Sequence, residues 1–390
     1  MKCDIIIPIW NNLEYTRDCL NGIVNNTTYP YRLILIDNAS DAPTRDYLDS
    51  FEKQMGQRGA PEVVLIRNSQ NLGYVKAVNQ GLRISDATYV CVYNNDTVPA
   101  PGWLERMVDF AEAHEDVGLI NPLCDGHGDT PIEAYAQSLT KNKGTYMEMN
   151  QCQGFCMLIK RELIDKIGYL DEAFGIGGYD DTDYSMRAHT AGYRCVAIYD
   201  SYVYHRQHAS FNKAGNREEW VQRNRKIYYD KWGKHLRVGV ALALDDGDEE
   251  KIKRVVSFVY GLAREWSWVH LWVTCKTGAN DMKKMIEACA GKNGFPLHQN
   301  IRIDCFNLPK VLLGLTICGK MLERLRKRMR DKKFDAIVVF DGAAKGPLAV
   351  CSKMVGSSII ALSLSDDCDD WQKKGKETAL FIKQKRREYE

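Results

Sequence analysis

At 390 residues, 45% hydrophobic and 27% charged, the chain has the composition of a globular protein with room for two full cores, and its formal net charge of +2 does not by itself imply a polyanionic partner. No apolar run approaches the roughly 18 residues of a membrane span. The start, Met1-Lys2-Cys3-Asp4-Ile5-Ile6-Ile7-Pro8, is too short and too acidic for a signal peptide, so a cytoplasmic protein is expected.

Cys3 to Pro8 reads as a strand, followed by Ile9-Trp10-Asn11-Asn12 and an amphipathic helix from about Glu14 to Asn25. Tyr31 to Asp37 is a second strand and runs into Asp37-Asn38-Ala39-Ser40, so two successive strands place polar side chains at one edge. A helix over Arg45 to Met55, a strand over Val63 to Arg67, and the turn Asn71-Leu72-Gly73-Tyr74 opening a helix through Val75 to Ile84 continue the alternation. The β-branched and aromatic run Tyr89 to Tyr93 predicts a buried strand, stopped by Pro99, Pro101 and Gly102. Asn94-Asn95-Asp96-Thr97 then falls at the strand end. In an open α/β sheet that edge forms the ligand crevice, where a carboxylate can hold a divalent cation on a phosphate. An ordinary polar turn is the other reading of these four residues.

After a helix over Trp103 to His114, residues 121–150 are rich in Gly, Asp and Thr and predict a long, partly irregular segment near the site. Gln153 to Ile159 returns to strand character, and Arg161 to Ile167 is a short helix. Phe174 to Arg187 joins three glycines to the acidic cluster Asp180-Asp181-Thr182-Asp183 at the start of a helix. Helix capping would suit those carboxylates; crowding of like charges would also raise their pKa values and make one a usable base. Arg194 to Ile198 and Tyr202 to Tyr204 are strand-like, followed by His205-Arg206-Gln207-His208.

The pattern restarts near Trp232. Strands are predicted over Arg237–Leu244, Val269–Thr274, Ile301–Phe306, Ala336–Phe340 and Ser358–Ser363. Helices are predicted over Glu249–Trp266, Asp281–Ala290, Val311–Arg330 and Gly346–Val355, and the charged tail 371–390 reads as a terminal helix or a frayed end. Leu244-Asp245-Asp246-Gly247-Asp248 lacks a phosphate-binding glycine fingerprint and would repel a pyrophosphate, so no second nucleotide site is expected. Lys320 to Lys333 is the strongly basic stretch, suited to phosphate or an anionic surface or, more plainly, to a solvated helix face. The thirteen cysteines lack CxxC spacing and read as reduced, mostly buried thiols. Cys152 and Cys156 form a CxxxC with no second pair at finger spacing.

Taken in order over about residues 3–211, these motifs resemble the inverting GT-A glycosyltransferases, in particular the group that includes rhamnosyl- and galactofuranosyltransferases. The resemblance implies an α/β fold: a GT-A domain over 1–235, a second Rossmann-like α/β domain over 236–370, and the tail 371–390. It assigns Pro8, Trp10, Asn12, Asp37, Asn38, Asn71, Gly73, Asn79, Asn95 and Gly154 to the nucleotide sugar. It also assigns Asp96 and His205 to a divalent cation (Mg²⁺ or Mn²⁺), and Asp181 with Asp180 to catalysis. Asn94 stands where many members carry the first Asp of DxD, and Asp180 replaces a commoner Glu; both changes keep oxygen ligands and a carboxylate. The implied activity is metal-dependent, inverting transfer of a hexosyl or deoxyhexosyl group from a UDP-, dTDP- or GDP-sugar to a hydroxyl. The hydroxyl could belong to a glycan, a lipid-linked sugar, a protein or a hydroxymethylated DNA base, and a peripheral position at a membrane surface stays open. The second half is more distantly similar to the acceptor-side half of GT-B glycosyltransferases, through Phe334-Asp335-Ala336-Ile337-Val338 before a glycine-containing loop. A non-catalytic sugar-nucleotide-binding protein and a glycoside hydrolase using two carboxylates are the alternatives.

Overall fold

Runs rich in isoleucine, leucine and valine form the central strands β1 (Cys3–Ile9), β2 (Tyr31–Asp37), β3 (Val63–Arg67) and β4 (Tyr89–Tyr93) of the computed structural model. The structure describes residues 2–57, 61–206, 217–244, 248–276, 278–326, 333–341, 348, 356–364 and 368–387. The chain divides into two units, Met1–Gly233 and Lys234–Glu390.

In the first unit β1 pairs in parallel with β2 and β4, and β2 with β3. This gives the order β3-β2-β1-β4, with helices α1 (Leu13–Asn26), α2 (Ala42–Gln57) and α3 (Tyr74–Ile84) between successive strands. Every strand of this half therefore ends at the same edge. One charge is tolerated inside β1 because buried Asp4 accepts from Arg32 Nε (2.9 Å) and Nη2 (2.6 Å).

Beyond β4 the sheet is mixed rather than parallel. The short strand β5 (Thr97–Pro99) and helix α4 (Trp103–Ala113) lead to β6 (Val117–Leu123), then α5 (Ile132–Leu139) and β7 (Tyr146–Met149). Strand β8 (Cys156–Lys160), α6 (Arg161–Ile167), α7 (Asp180–Thr190) and β9 (Arg194–His205) follow, with α8 (Arg217–Trp232) closing the unit. Strand β8 is antiparallel to β4 and β6, β9 is parallel to β6, and β5 and β7 are antiparallel to β9.

Residues 121–150 are thus more regular than their composition suggests. Gly118, Asn121 and Pro122 interrupt the apolar pattern of β6, and buried Glu148 interrupts that of β7, where Arg194 Nη1 lies 3.6 Å from its carboxylate. The two strand-like runs after α7 are one strand, bent at a register shift opposite Pro122 and Leu123. Helix α8 is so rich in charge that its periodicity was not legible in the sequence.

The second unit holds a wholly parallel five-stranded sheet. Its order is Ile301–Phe306, β11 (Trp268–Thr274), β10 (Arg237–Ala243), Ala336–Phe340, Ser358–Leu362, a 3-2-1-4-5 doubly wound pattern. Helices α9 (Glu249–Arg264), α10 (Ala279–Lys292) and α11 (Lys310–Arg326) cover it. The charged tail, read as a terminal helix or a frayed end, forms the helix Trp371–Arg387, whose Trp371, Ala379 and Ile382 are buried in this unit's core. It crosses α9 at Gly261 and Gly375. A Cβ on Gly375 would lie 2.1 Å from the Phe258 carbonyl oxygen, so only glycine admits the contact. Of the expected helix Gly346–Val355 only Leu348 is described, helical and buried, and the Asp245-Asp246-Gly247 turn and Gln207-His208 lie outside the described residues.

Candidate functional site

The polar strand ends of the first unit line a cleft of about 1010 Å³. On one wall lie Pro8, near the end of β1, and Trp10, just after it, with a turn built around Asn38. Asn38 Nδ2 donates to Asn71 Oδ1 (2.7 Å) and to the Gly73 carbonyl (3.3 Å), while its Oδ1 accepts from Leu72 N (2.9 Å) and Asn68 Nδ2 (3.1 Å). Asn71 Oδ1 also accepts from Gly73 N (2.9 Å). Gly73 has φ +83°, and a Cβ there would meet the Gly175 carbonyl oxygen at 3.0 Å. The turn is thereby held against the glycine-rich loop, and Val75 N donates to Gly175 O.

Three residues expected at the nucleotide do not line the cleft. Asp37 is 1% exposed; it accepts from Ser40 N (2.9 Å) and pairs with Arg67 Nη1 (2.5 Å). Asn79 is buried and staples the Leu170 backbone through both its amide atoms, at 2.9 and 3.0 Å. Asn12 stands at the N-terminus of α1 in a left-handed conformation. The first two side chains are committed to the fold that carries the wall.

On the opposite wall, the pairing of β5 with β9 sets Thr97 against His205 and brings the preceding Asp96 beside that histidine. His205 Nε2 lies 3.3 Å from Asp96 Oδ1, and the imidazole stacks on Phe155 with ring centroids 5.1 Å apart. Asp96 Oδ1 is buried without a hydrogen-bond partner. A buried, unsatisfied carboxylate oxygen beside an imidazole nitrogen is the donor set an oxygen- and nitrogen-ligated divalent cation takes, so these two residues fit such an ion. Among the described residues no group of three or more His, Cys, Asp or Glu could hold a metal unaided, and any further ligands would come from substrate or water. Asn95 lines the same wall, its Nδ2 donating to Thr16 Oγ1 at 2.9 Å.

The acidic cluster divides by environment. Asp180 and Asp181 open α7 and line the cleft. Burial, reinforced by Asp181, pushes the Asp180 carboxyl up to about 7, against two backbone donors, its own N–H and Gly178 N at 2.6 Å. Burial raises Asp181 as well, and backbone donors from Gly154 (3.2 Å) and Thr182 (2.7 Å) favour its ionised form. Asp183, one turn inward and fully buried, is saturated by Arg187 Nε (2.9 Å), Trp232 Nε1 (2.8 Å) and Lys231 Nζ (2.8 Å).

The comparisons with known proteins fall on this unit. Residues 4–168 match the model of Glycosyl transferase family 2. The match lies within the first unit. The chain is 26% identical over 204 residues to the glycosyltransferase AglE of Haloferax volcanii, covering 50% of this chain and 64% of that protein. It is 25% identical over 255 residues to an uncharacterised protein of Sinorhizobium fredii, covering 59% of this chain and 27% of that one. The chain thus spans less than two thirds of the length of either relative. Among solved structures, a mannosyltransferase from Pyrobaculum calidifontis in complex with GDP-Man and Mn²⁺ is similar at 18% identity and a TM-score of 0.45, covering 59% of this chain and 62% of that one.

The cleft is also lined by residues given no role by the motifs above. Tyr74, at the start of α3, donates its hydroxyl to the Gly154 carbonyl at 3.1 Å. Burial first, then the carboxylates of Asp180, Asp181 and Asp96, push its phenol well above the usual range, so it stays a neutral donor. Lys76, Gln151, Gln153 and Trp220 line the same space. Tyr74 lay inside a segment already singled out, and a tyrosine directly after a turn glycine was the available signal. Trp220 sits on α8, where no such signal existed. Cys152 and Cys156 do not converge: Cys156 Sγ faces Cys91 Sγ at 3.9 Å, and Cys152 Sγ faces the Val196 carbonyl.

Proposed function

We propose that the protein transfers a hexosyl or deoxyhexosyl group from a nucleoside diphosphate to an acceptor hydroxyl with inversion at the anomeric carbon, in the manner of the rhamnosyl- and galactofuranosyltransferase-like group. The observation that carries this reading is the pairing, in one cleft, of an unsatisfied Asp96 carboxylate beside His205 with the pKa-raised pair Asp180 and Asp181. Asp96 and His205 would hold Mg²⁺ or Mn²⁺, which when bound offsets the negative charge growing on the departing diphosphate.

The chain's own residues account for the rest. Trp10, Asn38 and Asn71 form the wall that receives the nucleotide, consistent with its place at the strand ends. Asp181 accepts the proton of the acceptor hydroxyl as that oxygen bonds to the anomeric carbon and the bond from that carbon to the diphosphate oxygen breaks on the opposite face. Gly154 N and Thr182 orient the Asp181 carboxylate, and Tyr74 fixes the Gly154 peptide from behind. Burial raises both carboxyls, Asp180 to about 7, while the backbone donors of Gly154 and Thr182 favour the ionised form of Asp181.

The test is incubation of the purified protein with UDP-, dTDP- and GDP-sugars, with Mg²⁺, Mn²⁺ or chelator, following release of the nucleoside diphosphate. Cation-dependent release from one donor class, abolished in Asp181→Asn, is expected. Nucleotide binding without release under any condition would identify a sugar-nucleotide-binding protein instead.

A further inference from the structure

Helix α8 clasps the glycine-rich loop that precedes α7. Asn224 is fully buried, and its Nδ2 donates to the carbonyls of Phe174 (2.8 Å), Gly177 (3.0 Å) and Gly178 (3.0 Å). Trp220 lies four residues earlier, on the same face of the helix, so the clasp also sets the indole beside that loop. Trp220 and its neighbour Val221 line the cleft together with Ile176 of the loop and the carboxylates of Asp180 and Asp181. Binding of the nucleotide and deprotonation of the acceptor leave Trp220, Val221 and Ile176 without a role.

Glu172, just before the loop, lines the same cleft. Its Oε1 accepts from Arg83 Nη2 (2.8 Å) and Asn79 Nδ2 (3.3 Å), and Oε2 is taken by neither. Arg83 first, then Asn79, hold this carboxyl below its usual range, so it is charged near neutrality. Against Glu172, Asp180 and Asp181, the lining residues offer one permanent cation, Lys76, near the start of α3. A phosphate or carboxylate on the acceptor would therefore enter an acidic surface. Residues 327–332 of the second unit's basic stretch lie outside the described residues.

We propose that this end of the cleft is a subsite for the ring of an uncharged sugar, with Trp220 as the platform beneath it and Glu172 Oε2 accepting from one of its hydroxyls. A sugar ring presents C–H groups on one face and hydroxyls around its rim, and an indole flanked by Val221 and Ile176, with a carboxylate at hand, answers both. With Asp181 as the base, the ring that carries the reacting hydroxyl lies on this side. The acceptor is then a neutral glycoside rather than a nucleic acid, a lipid phosphate or an acidic glycan. A peptide serine has no ring face to cover the indole. The identity of the acceptor rests on the transferase reading; the sugar subsite itself does not.

Saturation-transfer NMR on the full chain tests it, with millimolar methyl hexosides, each paired with its methyl hexuronoside, in the presence and absence of UDP, GDP or dTDP. At least one neutral glycoside should bind, and its uronate at least about tenfold more weakly, a gap that narrows as salt rises. Trp220→Ala should weaken the neutral glycoside by about tenfold or more, and Trp220→Phe, which keeps an aromatic face, by only about two- to threefold. Glu172→Gln should narrow the gap between neutral glycoside and uronate, which a purely structural role would not do. The proposal is overturned if no neutral glycoside binds to a chain that still takes up nucleoside diphosphate, if the uronate binds as well as its neutral partner, or if both Trp220 variants bind like the parent. Glycoside binding that depends on Trp220, in a chain that takes up no nucleoside diphosphate, supports the subsite and sinks the transferase reading instead.

Discussion

Asp37 closes β2 and Asp96 follows β4, at the same edge of the same sheet and nearly equally buried, at 1% and 6% exposure. Asp37 is matched atom for atom: one oxygen accepts from Ser40 N and the other pairs with Arg67. Asp96 keeps an oxygen with no hydrogen-bond partner, 3.3 Å from His205. A carboxylate whose oxygens are all spoken for stabilises the fold, whereas one left without a hydrogen-bond partner in a cleft carries a cost of burial and is open to a ligand. Position at a strand end does not separate the two roles; the inventory of partners does. The same division runs through α7, where Asp183 is saturated and Asp180 and Asp181 face the cleft.

The largest expected effect belongs to that helix. Asp181→Asn keeps the side chain's shape but removes the proton acceptor, so transfer should fall by about two to four decades with nucleotide affinity retained, measured by steady-state kinetics beside isothermal titration. Asp183→Ala should behave oppositely: with Arg187, Lys231 and Trp232 stripped of their acceptor, denaturant melts should show a loss of about 3 kcal/mol. If Asp183→Asn rather than Asp181→Asn abolished turnover in a folded protein, the division within α7 would be reversed.

A pH experiment sharpens the comparison at Asp180. Its carboxyl is raised from the usual value near 4 to about 7 in the folded protein, so the native state binds the extra proton. That contribution to stability is complete below about pH 4 and is lost as pH rises toward 7. Asp180→Asn should remove this slope, matching the parent at pH 4 and melting higher than it at pH 8. Parallel stability curves across that window would mean that Asp180 titrates normally. The smallest effect is expected at Tyr74→Phe. Loss of one hydrogen bond to the Gly154 carbonyl is worth about 1 kcal/mol, or roughly fivefold in kcat/KM, with the melting temperature little changed.

The first four parallel strands and all five strands of the second unit were readable because apolar residues dominate or alternate along each of them. Strands β5 and β7 were not. One is three residues long and ends in Pro99, and the other buries Glu148, whose charge is answered by Arg194 from a strand nearly 50 residues later. The site followed the same logic. Asp96, Asp180 and Asp181 stood out by residue type at strand and helix ends, His205 was named through the resemblance alone, and the structure brings all four to one cleft. Asp37 and Asn79 carried the same chemical signal, yet their partners Arg67 and Leu170 lie 30 and 91 residues away along the chain, beyond the reach of a local motif. Trp220 and Lys76 reach the cleft through tertiary packing alone.

The claim that unsatisfied and satisfied carboxylates divide function from structure is tested most directly by thermal melts of Asp96→Ala and Asp37→Ala, each with and without nucleoside diphosphate and Mn²⁺. Asp96→Ala should melt at or above the parent temperature when no ligand is added, and should lose the cation-dependent rise. Asp37→Ala should melt lower, by about 2 kcal/mol of stability, and keep that rise. A destabilised Asp96→Ala that still responds to the cation, beside an Asp37→Ala of full stability that does not, would contradict the account.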